Sequence, residues 1–107
     1  MNKESKVLGL IGIATKAGKI AFGTESVIET IENKKARLVI FAQDASEKAR
    51  ENMTYKCEKS GIPIVAFGTI DILSHAIGKE NKAVISIKDK NLGEEIYKII
   101  CGGEAIG

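Results

Sequence analysis

The sequence predicts a three-layer α/β/α sandwich, and three observations predict it. Segments whose apolar residues recur at helical spacing alternate along the chain with short, continuous apolar runs of strand length. Glycine, proline or a capping residue punctuates the changes from one pattern to the other. The chain has 107 residues, 44% of them hydrophobic and 28% charged, which suits one domain with one ordinary core. Alternating helices and strands bury both kinds of apolar face when a sheet lies between two helical layers. No linker, repeat or low-complexity stretch interrupts the alternation, so a single domain over 1–107 is expected.

Each element has its own warrant. Val7, Leu10, Ile11 and Ala14 share one helical face, predicting a helix over about 3–17 that ends near Gly18. Lys19 to Phe22 is a short strand closed by Gly23. Thr24 is the predicted N-cap of a second helix reaching about Asn33 and burying Val27, Ile28 and Ile31. Leu38 to Ala42 is an unbroken apolar run, the mark of a strand covered on both faces. Asp44 or Ser46 caps a third helix with Ala49, Met53 and Cys57 on one side, stopped by Ser60-Gly61. Ile62 to Phe67 is the third strand. Pro63 cannot donate to a ladder, which places it at that strand's start or on an edge. Thr69 caps a fourth helix with Ile70, Leu73, Ala76 and Ile77 inward, ended by Gly78; Ala83 to Ile87 is the fourth strand. Leu92, Ile96, Ile99 and Ile100 mark a last helix before Gly102-Gly103.

The same composition excludes several classes. The apolar content and a net charge of only +2 exclude disorder. No apolar run reaches the roughly 18 residues of a transmembrane helix. The N-terminus has an apolar stretch from Val7 to Ala14, but Glu4 interrupts its basic region and Thr15 to Lys19 offers no small-x-small cleavage site. A cytoplasmic protein without a cleaved leader is the expectation. Two cysteines and one histidine support neither a disulfide framework nor a four-cysteine zinc site; neither cofactor nor metal is expected.

Catalytic motifs fail on spacing. Five residues separate Gly12 from Gly18-Lys19 where a phosphate loop needs four, Ile20 stands where Ser or Thr meets magnesium, and the segment follows a helix rather than a strand. Gly9 and Gly12 read instead as permitting close helix packing. Cys57 continues an apolar helical face, the place of a buried small hydrophobe rather than a nucleophile based by His75. His75, near the Gly78 stop, is explained by the C-terminal dipole of its helix, and Asp44, Glu47 and Glu51 by the N-terminal dipole of theirs. The reading is of a non-enzyme.

Gly18 to Ser26 stands apart. A glycine-flanked basic strand leads directly into a helix start, where free backbone N–H groups bind anions and Gly23 admits a phosphate backbone. Lys16 and Lys19 are expected to flank that approach, with Lys34, Lys35 and Arg37 joining if the following turn folds back. A capped helix with solvated lysines explains the same residues equally well.

Gly18-Lys19-Ile20-Ala21-Phe22-Gly23-Thr24 and Arg37 to Ala45 resemble the kink-turn RNA-binding ribosomal protein family typified by archaeal L7Ae. Leu73-Ser74-His75-Ala76-Ile77-Gly78-Lys79, with Lys16 to Lys19, resembles its bacterial YlxQ-type branch. The resemblance runs from about residue 7 to residue 98. It implies a mixed four-stranded sheet, and RNA binding through the start of the second helix and the loop leading into the fourth. The family's Gly-x-Asn-Glu-x-x-Lys pattern, which reads the sheared G·A pairs of a kink-turn, falls on Gly23, Thr24, Glu25, Ser26 and Glu29, so that only the glycine and the spacing are kept. Glu29 carries a negative charge where the family has a positive one. The apolar loop that covers a flipped-out base falls on Phe67-Gly68-Thr69-Ile70, with Ile70 as the contact, and Ser74 replaces the glycine of the usual Leu-Gly pair.

The three phenylalanines all lie in or beside predicted strands, which leaves no stacking platform for single-stranded bases. Structured RNA, read by shape and backbone, is the expected partner: a kink-turn or its like, in ribosomal RNA or a messenger leader, with ribosome association and no membrane. The alternative is a protein-interaction adaptor that kept the fold and lost kink-turn affinity, for which Glu25 and Glu29 speak.

Overall fold

A computed structural model describes residues 2–102. Nine elements follow in the order α1 (Lys3–Lys16), β1 (Ile20–Phe22), α2 (Thr24–Glu32), β2 (Leu38–Phe41), α3 (Glu47–Ser60), β3 (Ile64–Ala66), α4 (Ile70–Ala76), β4 (Val84–Ile87) and α5 (Lys90–Ile100). The four strands form one mixed sheet in the order β1-β4-β2-β3, with β2 and β3 parallel and β4 antiparallel to both β1 and β2. Strands β1, β2 and β3 therefore all point one way. The starts of α2, α3 and α4 consequently gather at a single end of the sheet, which we call the α2 end.

Strand periodicity divides the core in two. Leu38, Ile40, Ile85 and Ile87 face a layer made by Val7, Ile11 and Ala14 of α1, Leu73 of α4, and Ile96 and Ile99 of α5. Val39 and Val84 face the other layer, made by Val27 and Ile31 of α2 with Met53 and Cys57 of α3. All four residues of β4 are buried, as the second position in the sheet requires. Beneath α2 lies a buried polar pair: the Thr30 hydroxyl sits 3.0 Å from the Ser86 Oγ and 2.6 Å from the Val27 carbonyl oxygen. That pair gives α2 one preferred seat on the sheet, because an unpaired hydroxyl there would cost about 1–3 kcal/mol.

The structure corrects several local expectations. Gly23, not Thr24, is the N-cap of α2; it has φ 88° and no side chain to cap with, and Thr24 is the first helical residue. Ser46 caps α3, accepting from the Ala49 N–H, whereas Asp44 reaches across to accept from the Ile70 N–H at 2.8 Å. The third strand is only Ile64–Ala66, because the Ile62 N–H closes the end of α3 on the Cys57 carbonyl and Pro63 has no N–H to give. Pro63 does stand before an edge strand, and its carbonyl accepts from Val39. Gly9 and Gly12 pack against nothing, since a Cβ at either would meet no atom within 4 Å; the side of α1 that carries them faces outward. Gly93 of α5, by contrast, is close-packed: an added Cβ would lie 3.3 Å from that of Arg37. Of the expected Gly102-Gly103 ending, Gly102 forms a turn with φ 71° after α5, and Gly103 lies outside the described residues.

Candidate nucleic-acid interface

The α2 end is built by four strand ends. β1 finishes at Phe22 and hands the chain to Gly23, whose N–H donates to the Val84 carbonyl at 3.0 Å and fixes the entry of α2. With no side-chain cap, the first-turn N–H groups of Thr24, Glu25 and Ser26 have no intrahelical partner and point outward with the positive end of the helix dipole. The side chains of Thr24, Glu25, Ser26 and Glu29 are all exposed. Across the sheet, three strand spacings or about 14 Å away, β3 turns into α4 through Phe67-Gly68-Thr69.

That turn is rigid for identifiable reasons. Gly68 has φ 65°, and a Cβ there would lie 3.3 Å from Cγ2 of Ile72. Its carbonyl accepts from the Gln43 N–H at 2.8 Å, Thr69 caps α4 through the Ile72 N–H at 3.1 Å, and Asp44 holds the Ile70 N–H. Ile70 is half-buried against the core. With the Phe67 N–H donating to the Phe41 carbonyl as well, a loop tied to the end of β2 by three hydrogen bonds presents a fixed edge to whatever docks there.

Two cations missed from sequence complete this end. The ammonium groups of Lys79 and Lys82 stand 5.1 and 5.6 Å from the centre of the Phe22 ring. The loop that carries them is fastened by Ser74, whose buried hydroxyl accepts from the Lys82 N–H at 2.8 Å and donates to the Lys82 carbonyl at 3.3 Å. The serine that replaces the family glycine therefore works as a latch. Asn81, with φ 56°, turns the loop back. Lys79 ends the Leu73 to Lys79 motif with no role read from it there and Lys82 lies in no motif, so only the tertiary turn brings the two together. Phe22, Phe41 and Phe67 are half-buried and pack on the core.

The expected basic cluster forms, but elsewhere. Lys34, Lys35 and Arg37 do fold back to Lys19, and Lys88 joins them around a notch of about 280 Å³ beside Gly18. This notch is at the start of β1, about 13 Å of strand from Gly23 at ~3.3 Å per residue. Lys16, exposed in the last turn of α1, belongs to this remote end as well. The reason is directional: β1 carries the chain from the lysines to the opposite end of the sheet before α2 begins. Lys16, Lys19, Lys34, Lys35 and Arg37 thus do not flank the α2 start.

The catalytic candidates are kept apart. Cys57 is buried between α3 and the sheet, which pushes its thiol up to about 11, while His75 is exposed on α4 in the opposite layer. Among the described residues no three His, Cys, Asp or Glu side chains are grouped so as to hold a metal, and no helix is long and apolar enough to cross a membrane.

The profile of the Ribosomal protein L7Ae/L30e/S12e/Gadd45 family matches residues 5–97. The chain belongs to this family. Among its curated relatives, the RNA-binding protein YlxQ of Enterococcus faecium is 33% identical over 92% of this chain and 95% of its own length. The RNA-binding protein YlxQ of Bacillus subtilis is 30% identical over 85% and 91%. The large ribosomal subunit protein eL8 of Thermoplasma volcanium is 33% identical over 91% and 81%. Among solved structures, a protein of unknown function from Bacillus halodurans C superposes with a TM-score of 0.88 at 32% identity, covering 92% of this chain and 99% of that one. The 15.5kD RNA binding protein of Giardia lamblia superposes at 0.79 with 26% identity, covering 98% and 90%. The mixed-sheet, three-layer fold is the one this family shares.

Proposed function

We propose that this protein binds structured RNA of the kink-turn type through its α2 end, without catalysis, as a ribosome-associated or regulatory protein of the cytoplasm. One observation carries the reading: an uncapped, glycine-opened helix start lies at the same strand end as the Lys79 and Lys82 ammonium groups. Backbone N–H groups at such a start donate to phosphate oxygens or base acceptors, and two cations beside them neutralise phosphate charge. The similarity to the RNA-binding YlxQ proteins and to the Giardia 15.5kD RNA binding protein supports the same ligand class. The rigid Gly68–Ile70 edge suits a ligand recognised by shape.

Replacing Lys79 and Lys82 together by Gln is expected to lower affinity for a standard kink-turn about tenfold at fixed moderate salt, and to flatten the salt dependence by nearly two counterions. A gel-shift series across salt concentrations measures both. A double variant that binds as well as the wild type sinks the assignment of this end. The adaptor reading draws on exposed Glu25 and Glu29 at the helix start. It is favoured instead if the wild type binds no kink-turn at low salt and a protein is recovered by pull-down.

A further inference from the structure

The remote end of the sheet breaks two local rules at one place. The β1–β4 and β4–β2 registers pair Ile20 with Ile87 and Leu38 with Ile87; continued by one residue, they bring Lys19, Lys88 and Arg37 into a single row across three strands. Hydrogen bonds hold the row: the Lys88 N–H donates to the Lys19 carbonyl at 2.7 Å and the Arg37 N–H to the Ile87 carbonyl at 2.8 Å. Like charges directly opposite on neighbouring strands destabilise a sheet. The second broken rule is Lys34, which follows α2 with φ 59°, a left-handed position normally given to Gly or Asn. Its N–H bonds to the Ile31 carbonyl and that of Lys35 to Thr30, so the strained turn sets both lysines beside the row.

The five cations line the notch with Gly18, and among the described residues no carboxylate shares its lining. Lys34 and Arg37 also line a neighbouring groove of about 860 Å³, where Lys56 and Lys59 extend the positive surface and Glu32 and Glu94 oppose it in part. Folding alone gives no reason to set a strained lysine beside a row of like charges. A polyanion does, because it turns the repulsion into counterion release on binding.

We propose that this notch is a second site for an RNA phosphate backbone, distinct from the α2 end, so that one molecule holds two RNA segments at opposite ends of its sheet. The proposal rests on the RNA-binding reading of the α2 end. A row of cations about 10 Å long, set by the strand spacing, fits a run of backbone phosphates without reading sequence. Once the first segment is bound, a second segment of the same RNA arrives at high effective concentration, so the notch contributes even when its own affinity is weak.

The test saturates the protein with a short kink-turn and titrates in a labelled RNA duplex of about 16 base pairs that contains no kink-turn. We expect a ternary complex whose second affinity falls with salt. Lys35→Gln with Lys88→Gln should weaken duplex binding about tenfold or more, with kink-turn affinity changed by less than about twofold. Lys34→Gly should also weaken the duplex while the melting temperature stays level or rises, since glycine relieves the left-handed strain. Lys79→Gln with Lys82→Gln should do the reverse, weakening the kink-turn and sparing the duplex. Displacement of the duplex by the kink-turn would overturn the second site, as would notch variants that bind duplex like the wild type. Binding of the kink-turn but never of the duplex rejects the notch alone. Binding of neither RNA rejects the α2-end reading and the notch with it.

Discussion

Gly23 occupies a backbone region that L side chains rarely adopt, and its added Cβ would meet nothing, so conformation alone demands glycine there. The helix it opens carries Glu29 one turn on, exposed and by its spacing on the same side as Glu25 and Ser26. Opposite charges about 4 Å apart near a protein surface interact by up to ~4 kcal/mol before screening. Glu29→Lys should therefore strengthen kink-turn binding by about 1 kcal/mol after screening and desolvation, a several-fold gain readable by gel shift. At Cys57 the chemistry is one of stability. An unfolded thiol ionises near 9.0 and the buried one at about 11, so the stability of the neutral thiol is complete below the first value. It is lost as pH rises through the second. Melting curves from below pH 9 to pH 11 should fall more steeply for the wild type than for Cys57→Ala, although the variant begins lower because it leaves a small cavity.

At the scale of elements, the sequence was most legible where one short segment carries the whole signal. The helical face of Val7, Ile11 and Ala14, the apolar run at Leu38, and the caps at Ser46 and Thr69 all stand where local pattern puts them. It was least legible where partners are distant in the chain. Asp44 serves a helix start 26 residues away, and Ser74 binds the backbone of Lys82; no local rule separates these roles from ordinary capping. Two element-level predictions follow from that difference. Ser74→Ala removes both bonds of the latch and should cost about 1–3 kcal/mol of stability, loosening the loop that carries Lys79 and Lys82; faster amide exchange at Lys82 and weaker RNA binding are the readouts. On α1, Gly9→Ala and Gly12→Ala fill open space in a helix and should each raise stability by up to about 1 kcal/mol, measured by urea unfolding.

For the whole molecule, the net charge of +2 conceals how the cations are arranged. The fold-back of Lys34, Lys35 and Arg37 onto Lys19 was readable from a turn between two elements. Which end of the sheet they reach was not, because it depends on the direction of a three-residue strand and on the order in which the strands pair. The same topology gathers the starts of α2, α3 and α4 at the other end, and there it builds the fixed edge that the RNA reading requires. Amide chemical-shift mapping with one equivalent of a standard kink-turn tests that reading most directly. The largest shifts are expected at Thr24, Glu25, Ser26, Ile70, Lys79 and Lys82. A titration that leaves the first-turn amides of α2 in place while amides elsewhere move would contradict it.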